Sequence, residues 1–236
     1  MIEAKNISKR FGKFLALDNL GLKLESGECV ALIGPNGCGK TTFIKAVLGM
    51  VLPSEGQILF DGKDIRGGNE YRRRIGYMPQ IGRYPENMTV RQVIEMIKGI
   101  RGNNQEPDDE LYRHFEIDKI LTKKMRTLSG GTTQKVSATL AFMFRPDVLI
   151  LDEPTAGLDP LAAEILKEKI IQARQRGCLV LITSHLLSEL EEMVSQVVFM
   201  QEGRMLLHKT VAELKQATGQ HTIAKSVIHL LKEGRQ

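Results

Sequence analysis

CVALIGPNGCGKTT, from Cys29 to Thr42, is the stretch on which the fold turns. Its first six residues, Cys29 to Gly34, form a dense apolar run that reads as a buried strand. GPNGCGKTT, Gly34 to Thr42, fits the pattern G-x-x-x-x-G-K-[ST], and Lys40 to Leu48 then looks helical, ending at Gly49. Strand, glycine-rich turn and helix in that order make a cradle for a phosphate chain, because loop amides and the positive end of a helix both attract anions. Gly34, Gly37 and Gly39 let the backbone wrap closely, and Pro35, Asn36 and Cys38 complete the turn. Lys40 brings a positive charge to β- and γ-phosphates, Thr41 offers a hydroxyl to Mg²⁺, and Thr42 follows on the helix.

Outward from this loop, Leu20, Leu22 and Leu24 alternate as in a half-buried strand. Val148 to Leu151, Leu179 to Thr183 and Val197 to Met200 read as further strands, with helical patterns from Pro160 to Arg174 and from Leu186 to Met193. Alternating strands and helices imply an α/β fold with a parallel sheet flanked by helices. From about Thr89 to Phe144 the pattern is helical almost throughout, broken only at Gly102 to Asp109. Val90, Val93, Ile94 and Ile97 keep helical spacing behind Thr89, a plausible N-cap. Residues 82–145 therefore read as a helical insertion in a core made of 1–81 and 146–218. The stretch 219–236, with Ile223, Val227, Leu230 and Leu231, reads as an amphipathic helix that packs on its own domain or meets another subunit.

VLILDEP, Val148 to Pro154, ends an apolar strand in two acids. Carboxylates at the carboxyl end of such a strand face the ligand crevice of an α/β sheet. Asp152 is placed to hold Mg²⁺ and Glu153 to accept a proton from, or orient, an attacking water. The alternative is that the acids merely cap the next helix. His185, in ITSH, follows a strand and either serves the structure or approaches the γ-phosphate. Gln80, in GYMPQ, ends a short strand, where its amide can contact Mg²⁺ or water. Phe11, in KRFGK, either stacks on a base or fills the core. LSGGTTQKV, Leu128 to Val136, sets Ser129, Gly130 and Gly131 before a helix and makes a second anion-attracting turn.

Composition narrows the classes. The 236 residues are 42% apolar and 26% charged, as in an ordinary globular chain. A net charge of +5, without a long basic tract or aromatic–basic interleaving, argues against nucleic acid as a partner. Cys29, Cys38 and Cys178 lack the spacing of a zinc site or a disulfide framework and suit a reducing compartment. The start, MIEAKNISKRFG, has no apolar core of a secretion signal, and no apolar run approaches the ~20 residues that span a bilayer.

Taken together, these motifs resemble the ATP-binding subunit of an ABC transporter, over Met1 to about Lys215. GPNGCGKT matches the Walker A motif, Gln80 the Q-loop, LSGG the signature, VLILDE Walker B, AGLD (Ala156 to Asp159) the D-loop and His185 the H-loop. Phe11 falls where the family keeps an adenine-stacking aromatic. The resemblance implies a P-loop NTPase core with an N-terminal antiparallel β subdomain and an inserted α-helical subdomain. It also implies Mg²⁺-dependent ATP hydrolysis in a head-to-tail dimer, where Ser129, Gly130 and Gly131 grip the γ-phosphate bound by a second ATPase subunit. Lys40, Gln80, Glu153 and His185 are then the catalytic set, and Thr41, Gln80 and Asp152 serve the metal. The implied partners are a second copy of the chain and separate membrane permease subunits, docked near Tyr84, Pro85, Glu86 and Asn87 on the cytoplasmic face of the cell membrane. Thr132 stands where the family usually has glutamine, which puts contacts to the nucleotide sugar in question. SEGQILFDGKDI and DEPTAGLDP look like ABC-2 type exporters, and the signature neighbourhood is similar to the ATPase of nitrous-oxide-reductase maturation systems. The rival class is a soluble ABC ATPase, such as the iron–sulfur-cluster assembly ATPase.

Overall fold

Period-two burial builds the first layer. In the computed structural model, which describes residues 1–102, 106–184 and 187–233, β1 (Ile2–Phe11) and β2 (Phe14–Leu24) pair antiparallel. Leu20, Leu22 and Leu24 are buried while Gly21 and Lys23 face outward, as a one-sided sheet requires. After β3 (Cys29–Ile33) and α1 (Lys40–Val47), β4 (Glu55–Phe60) and β5 (Lys63–Asp64) complete a four-stranded sheet of order β2-β1-β4-β5.

The second sheet is continuous apolar strand. β6 (Ile75–Met78) precedes α2 (Val90–Arg101), α3 (Glu110–His114) and α4 (Gly130–Phe142). β7 (Val148–Asp152), α5 (Pro160–Gln175), β8 (Leu179–Thr183), β9 (Gln196–Gln201) and β10 (Arg204–Thr210) follow, then α6 (Val211–Thr218) and α7 (Ile223–Glu233). The strand order is β10-β9-β3-β8-β7-β6, parallel throughout except for β10 at the edge. Every residue of β3 and β8 is buried, as expected for strands covered on both faces. Alternate residues of β3 serve different cores. Val30 and Leu32 join α1 and the antiparallel sheet, whereas Cys29, Ala31 and Ile33 join the cluster that includes the helical insertion.

The insertion is held by apolar burial and by a buried ion cluster. Val90 and Val93 are wholly buried and Ile94 nearly so, each contributing about 1.5–3 kcal/mol over exposure. Lys169 of α5, only 1% exposed, donates to Asp108 at 2.9 and 2.8 Å and to Glu110 at 2.6 Å. Arg145 and Arg176 lie 3.9 and 3.5 Å from the same Asp108 carboxylate. Burial by itself would raise the Asp108 carboxyl, but the Lys169 hydrogen bonds, the Glu110 N–H and the surrounding cations hold it below the usual range.

Thr89 caps α2 as its position suggests, with Gln92 closing a capping box. The chain between α3 and α4 is less regular than its pattern implies. It runs through 3₁₀ turns at Ile117–Ile120 and Met125–Thr127, after Glu116 adopts φ 51° and ends the preceding helical turn. The helix expected from Leu186 to Met193 is likewise short, and Leu186 lies outside the described residues. A 3₁₀ turn at Leu187–Leu190 closes when Met193 and Val194 both donate to the Leu190 carbonyl, which frees the chain to enter β9. α7 buries Ile223 and Val227 against the larger core, with Leu230 partly buried there, so this helix packs on its own domain. The side chain of Leu231 lies outside the described residues.

Candidate functional site

The phosphate-loop geometry follows from one backbone requirement. Gly39, the N-cap of α1, has φ 108°, and a Cβ there would stand 2.6 Å from the Ala16 carbonyl oxygen. The loop therefore presses against β2, and any side chain at 39 would force the two apart. Lys40 Nζ donates to the Gly34 and Pro35 carbonyls at 2.7 and 3.1 Å, with Cys38 Sγ at 3.8 Å. The ammonium is thus held over the loop it belongs to. Cys38 is itself buried, and its carbonyl accepts from Gly203 N–H at 3.0 Å.

A cleft of about 490 Å³ opens beside this loop. Asn36, Gly37, Gly39, Lys40, Thr41 and Thr42 line one side, and Gln80, Asp152 and Glu153 line the other. The parallel sheet brings the second group there because β6 and β7 are neighbours, with Met78 paired to Leu151. Chain order and strand direction put their carboxyl ends at one edge, where such folds bind ligands. Phe14 and Ala16 of the hairpin close the cleft.

The acids are set by Thr183, which pairs with Asp152 across β7 and β8. Its hydroxyl donates to Asp152 Oδ1 at 2.5 Å and accepts from Glu153 N–H at 3.1 Å. The Glu153 N–H also donates to the Thr183 carbonyl at 3.1 Å. Glu153 sits at φ 51°, a left-handed conformation costly for a residue with a side chain. Strain of this kind, held in place by the surrounding bonds, concentrates at functional positions. Burial, and then the charge of Asp152, raise the Tyr77 phenol above its ordinary range.

The second glycine turn lies elsewhere. Ser129 caps α4, its hydroxyl accepting from Thr132 N–H at 3.2 Å and pairing with Thr132 Oγ1 at 2.8 Å. Ser129 and Gly130 are exposed, and neither they nor Gly131 line the phosphate-loop cleft. A Cβ on Gly131 would stand 2.5 Å from the Gly157 carbonyl oxygen, so the start of α4 rests on the loop between β7 and α5. Lys135, one helical turn on, is 2.6 Å from Asp159 Oδ2, while Asp159 Oδ1 caps α5.

The structure thus gathers Asn36, Gly37, Gly39, Lys40, Thr41, Thr42, Gln80, Asp152 and Glu153 around one cleft and sets Ser129, Gly130 and Gly131 apart. Gly34 and Pro35 hold the Lys40 ammonium through their carbonyls, and Cys38 is buried. His185 lies outside the described residues. Phe11 is 49% exposed rather than in the core and stands opposite Phe14 in the hairpin register, and Phe14 is the one that lines the cleft. Sequence reasoning missed Phe14, Ala16 and Thr183. Thr183 was within reach, because it ends a strand of the same length as the one that ends at Asp152.

Among the described residues, no group of three or more His, Cys, Asp or Glu side chains stands close enough to hold a metal by itself. The oxygens of Thr41, Gln80 and Asp152 in one cleft fit Mg²⁺, which takes one or two carboxylates and completes its shell with phosphate and water.

A family model described as ABC transporter matches residues 17–156. Over 210 residues the chain is 34% identical to the Nod factor export ATP-binding protein I of Burkholderia lata, covering 87% of this chain and 69% of that protein. A solved structure described as the ATP binding subunit of an ABC transporter superposes with a TM-score of 0.91 at 29% identity, covering 98% of this chain and 99% of that one. The ATP-binding cassette MJ0796, solved as a post-hydrolysis dimer bound to ADP and Pi, shares the fold with a TM-score of 0.77 at 22% identity, over 89% and 99% of the two chains.

Proposed function

This chain belongs to the ABC transporter family as an ATP-binding, ATP-hydrolysing subunit, and we propose that it works as half of a head-to-tail dimer that drives separate membrane subunits. One observation carries the dimer. Ser129 and Gly130 form an exposed, helix-capping turn outside the chain's own phosphate cleft. A phosphate for that turn has to come from another subunit. ATP then joins two chains, and its hydrolysis parts them, a population shift driven by differential affinity. The dimeric form of MJ0796 is in keeping with this arrangement. Two copies of this chain make the simplest pair.

In this reading Lys40 and the loop amides orient the β- and γ-phosphates, and the exposed ring of Phe11 or Phe14 stacks on the base. Mg²⁺, when bound, neutralises charge that develops on the phosphate oxygens; Thr41, Gln80 and Asp152 would hold it. Glu153, fixed through its N–H by Thr183, accepts a proton from the attacking water. His185 stands near the γ-phosphate. Ser129, Gly130 and Gly131 bind the partner's γ-phosphate from the far side.

Among the described residues no helix is long and apolar enough to cross a membrane; in this reading the transport path is built by other chains. The insertion receives them, through Tyr84 to Asn87 and an open groove of about 610 Å³ along α2 and α3 that Arg91, Lys98, Asp109 and Tyr112 help to line. That docking places the protein on the inner face of the cell membrane. The Nod factor export name of a relative and the SEGQILFDGKDI and DEPTAGLDP segments support an exporter of the ABC-2 type.

The test is Glu153→Gln. It is expected to form a dimer in ATP, seen by size-exclusion chromatography with light scattering, while turnover falls by about 10²–10⁴. A chain that stays monomeric in saturating ATP would remove the dimer mechanism, and near-normal turnover would remove Glu153 as base. Isolation of the tagged subunit in mild detergent is expected to bring an integral membrane protein at equal stoichiometry; soluble partners alone would end the transporter reading.

A further inference from the structure

The cleft and the signature turn face different ligands, yet one buried side chain joins their supports. Gln134 of α4 is 6% exposed, and its Nε2 donates to the Gln80 carbonyl at 3.2 Å, across 54 residues of sequence. A carbonyl oxygen only accepts, so the amide must present its NH₂ to Gln80. Gln134 Oε1 is then buried with no hydrogen-bond partner among the described residues. Buried acceptors of this kind are uncommon. Leucine or methionine would fill the same space without one, so packing alone does not account for an amide here.

A second contact lies one turn along the same helix face. Ser137, fully buried, is 3.1 Å from the Tyr84 hydroxyl. Between these two points, a Cβ on Gly82 would stand 3.3 Å from Thr133 Cγ2, so segment 80–84 lies against α4 along its length. Burial raises the Tyr84 phenol, and its hydroxyl remains a donor to Ser137. Gln80 lines the phosphate cleft. Ser129 caps the same α4 five residues before Gln134, about 7.5 Å away at 1.5 Å per residue.

We propose that Gln134, with the Tyr84–Ser137 pair, is a clasp that makes segment 80–84 and α4 move as one body. Gln134 is thereby a positioning residue: displacement of Gln80 at the nucleotide cleft reaches Ser129, Gly130 and Gly131, which bind the other subunit's phosphate. The clasp touches neither nucleotide. It couples the two faces through packed and hydrogen-bonded contact, and it rests on the head-to-tail reading above.

The experiment compares the full chain with Gln134→Leu and Tyr84→Phe, each also in the Glu153→Gln background. Gln134→Leu is expected to lower kcat about tenfold while the KM for ATP stays within about twofold, the mark of lost positioning rather than lost binding. Its melting temperature is expected to hold, and ATP-driven dimer formation to fall at equal occupancy by a fluorescent ATP analogue. Tyr84→Phe, which removes one hydroxyl, is expected to move kcat the same way by about two- to threefold, and it decides the question should Gln134→Leu not fold. A kcat of Gln134→Leu within twofold of the parent, an unchanged kcat of Tyr84→Phe, or kcat and KM worsening together with a lowered melting temperature would overturn the clasp. If the Glu153→Gln parent itself stays monomeric in ATP, the head-to-tail reading falls and the clasp with it. A parent that dimerises alongside unaffected clasp variants overturns the clasp alone.

Discussion

The phosphate cradle and the seam that fastens the helical insertion to the core hold together in opposite ways. In the cradle, Lys40 bonds carbonyls six and five residues before it, and Cys38 N–H bonds Pro35 O. In the seam, Lys169 reaches Asp108 across 61 residues, Gln134 reaches Gln80 across 54, and Lys135 reaches Asp159 across 24. The cradle is a local conformation that a short sequence specifies. The seam exists only after distant elements have docked. Phosphate chemistry is therefore built into the chain, while communication between the two glycine turns is built into the packing.

The sharpest way to break this contrast is Lys169→Ala, which takes away the one buried ammonium bonded to Asp108 and leaves its carboxylate the more distant Arg145 and Arg176 and the Glu110 N–H. A loss of about 3–5 kcal/mol of stability is expected in urea unfolding, with protease sensitivity appearing first in the insertion. The Asp108 carboxyl is held below its ordinary value in the folded chain. Its contribution is therefore present above the unfolded pKa of about 3.9 and is lost as pH falls through the lower folded value, so the gap between parent and variant should close in acid. A gap unchanged at low pH would show that lost packing, not charge, sets the cost. Lys40→Met should behave in the reverse way: turnover falls by about 10²–10³, while stability moves by less than about 0.5 kcal/mol. A large loss of stability in that variant would mean that the lysine–carbonyl bonds hold the loop together.

The smallest effect sharpens the comparison most. Ser129→Ala and Thr89→Ala each remove an N-cap and should each cost about 1 kcal/mol. Only Ser129→Ala is expected to weaken ATP-driven dimer formation, because Thr89 caps α2 and belongs to neither glycine turn. Equal dimer formation in the two variants would confine Ser129 to the role of a helix cap.

The sequence was most legible where structure is local. The loop from Gly34 to Thr42, the cap at Thr89, the glycine turn before α4, and the buried strands ending at Asp152 and Thr183 all follow from residue type and spacing. The helical expectation failed where the pattern was apolar but the backbone was not free to continue, as at Glu116, whose positive φ breaks the chain into 3₁₀ turns. Spacing singles out Phe11 and is silent on Phe14, which faces it across the hairpin and lines the cleft, because strand register rather than spacing sets which aromatics meet there.

The sequence by itself determined what this protein binds: glycines, a lysine and a threonine at fixed spacing, closed by bonds a few residues long. Tertiary structure alone decided how the parts are joined. It decided that Thr183 fixes Glu153, that Gln134 grips Gln80, that Lys169 ties the insertion to α5, and that Ser129 lies outside its own chain's cleft. The physical reason is reach. A short turn is specified by its own backbone angles, whereas a hydrogen bond across 54 residues forms only once burial of apolar faces has brought its two ends together.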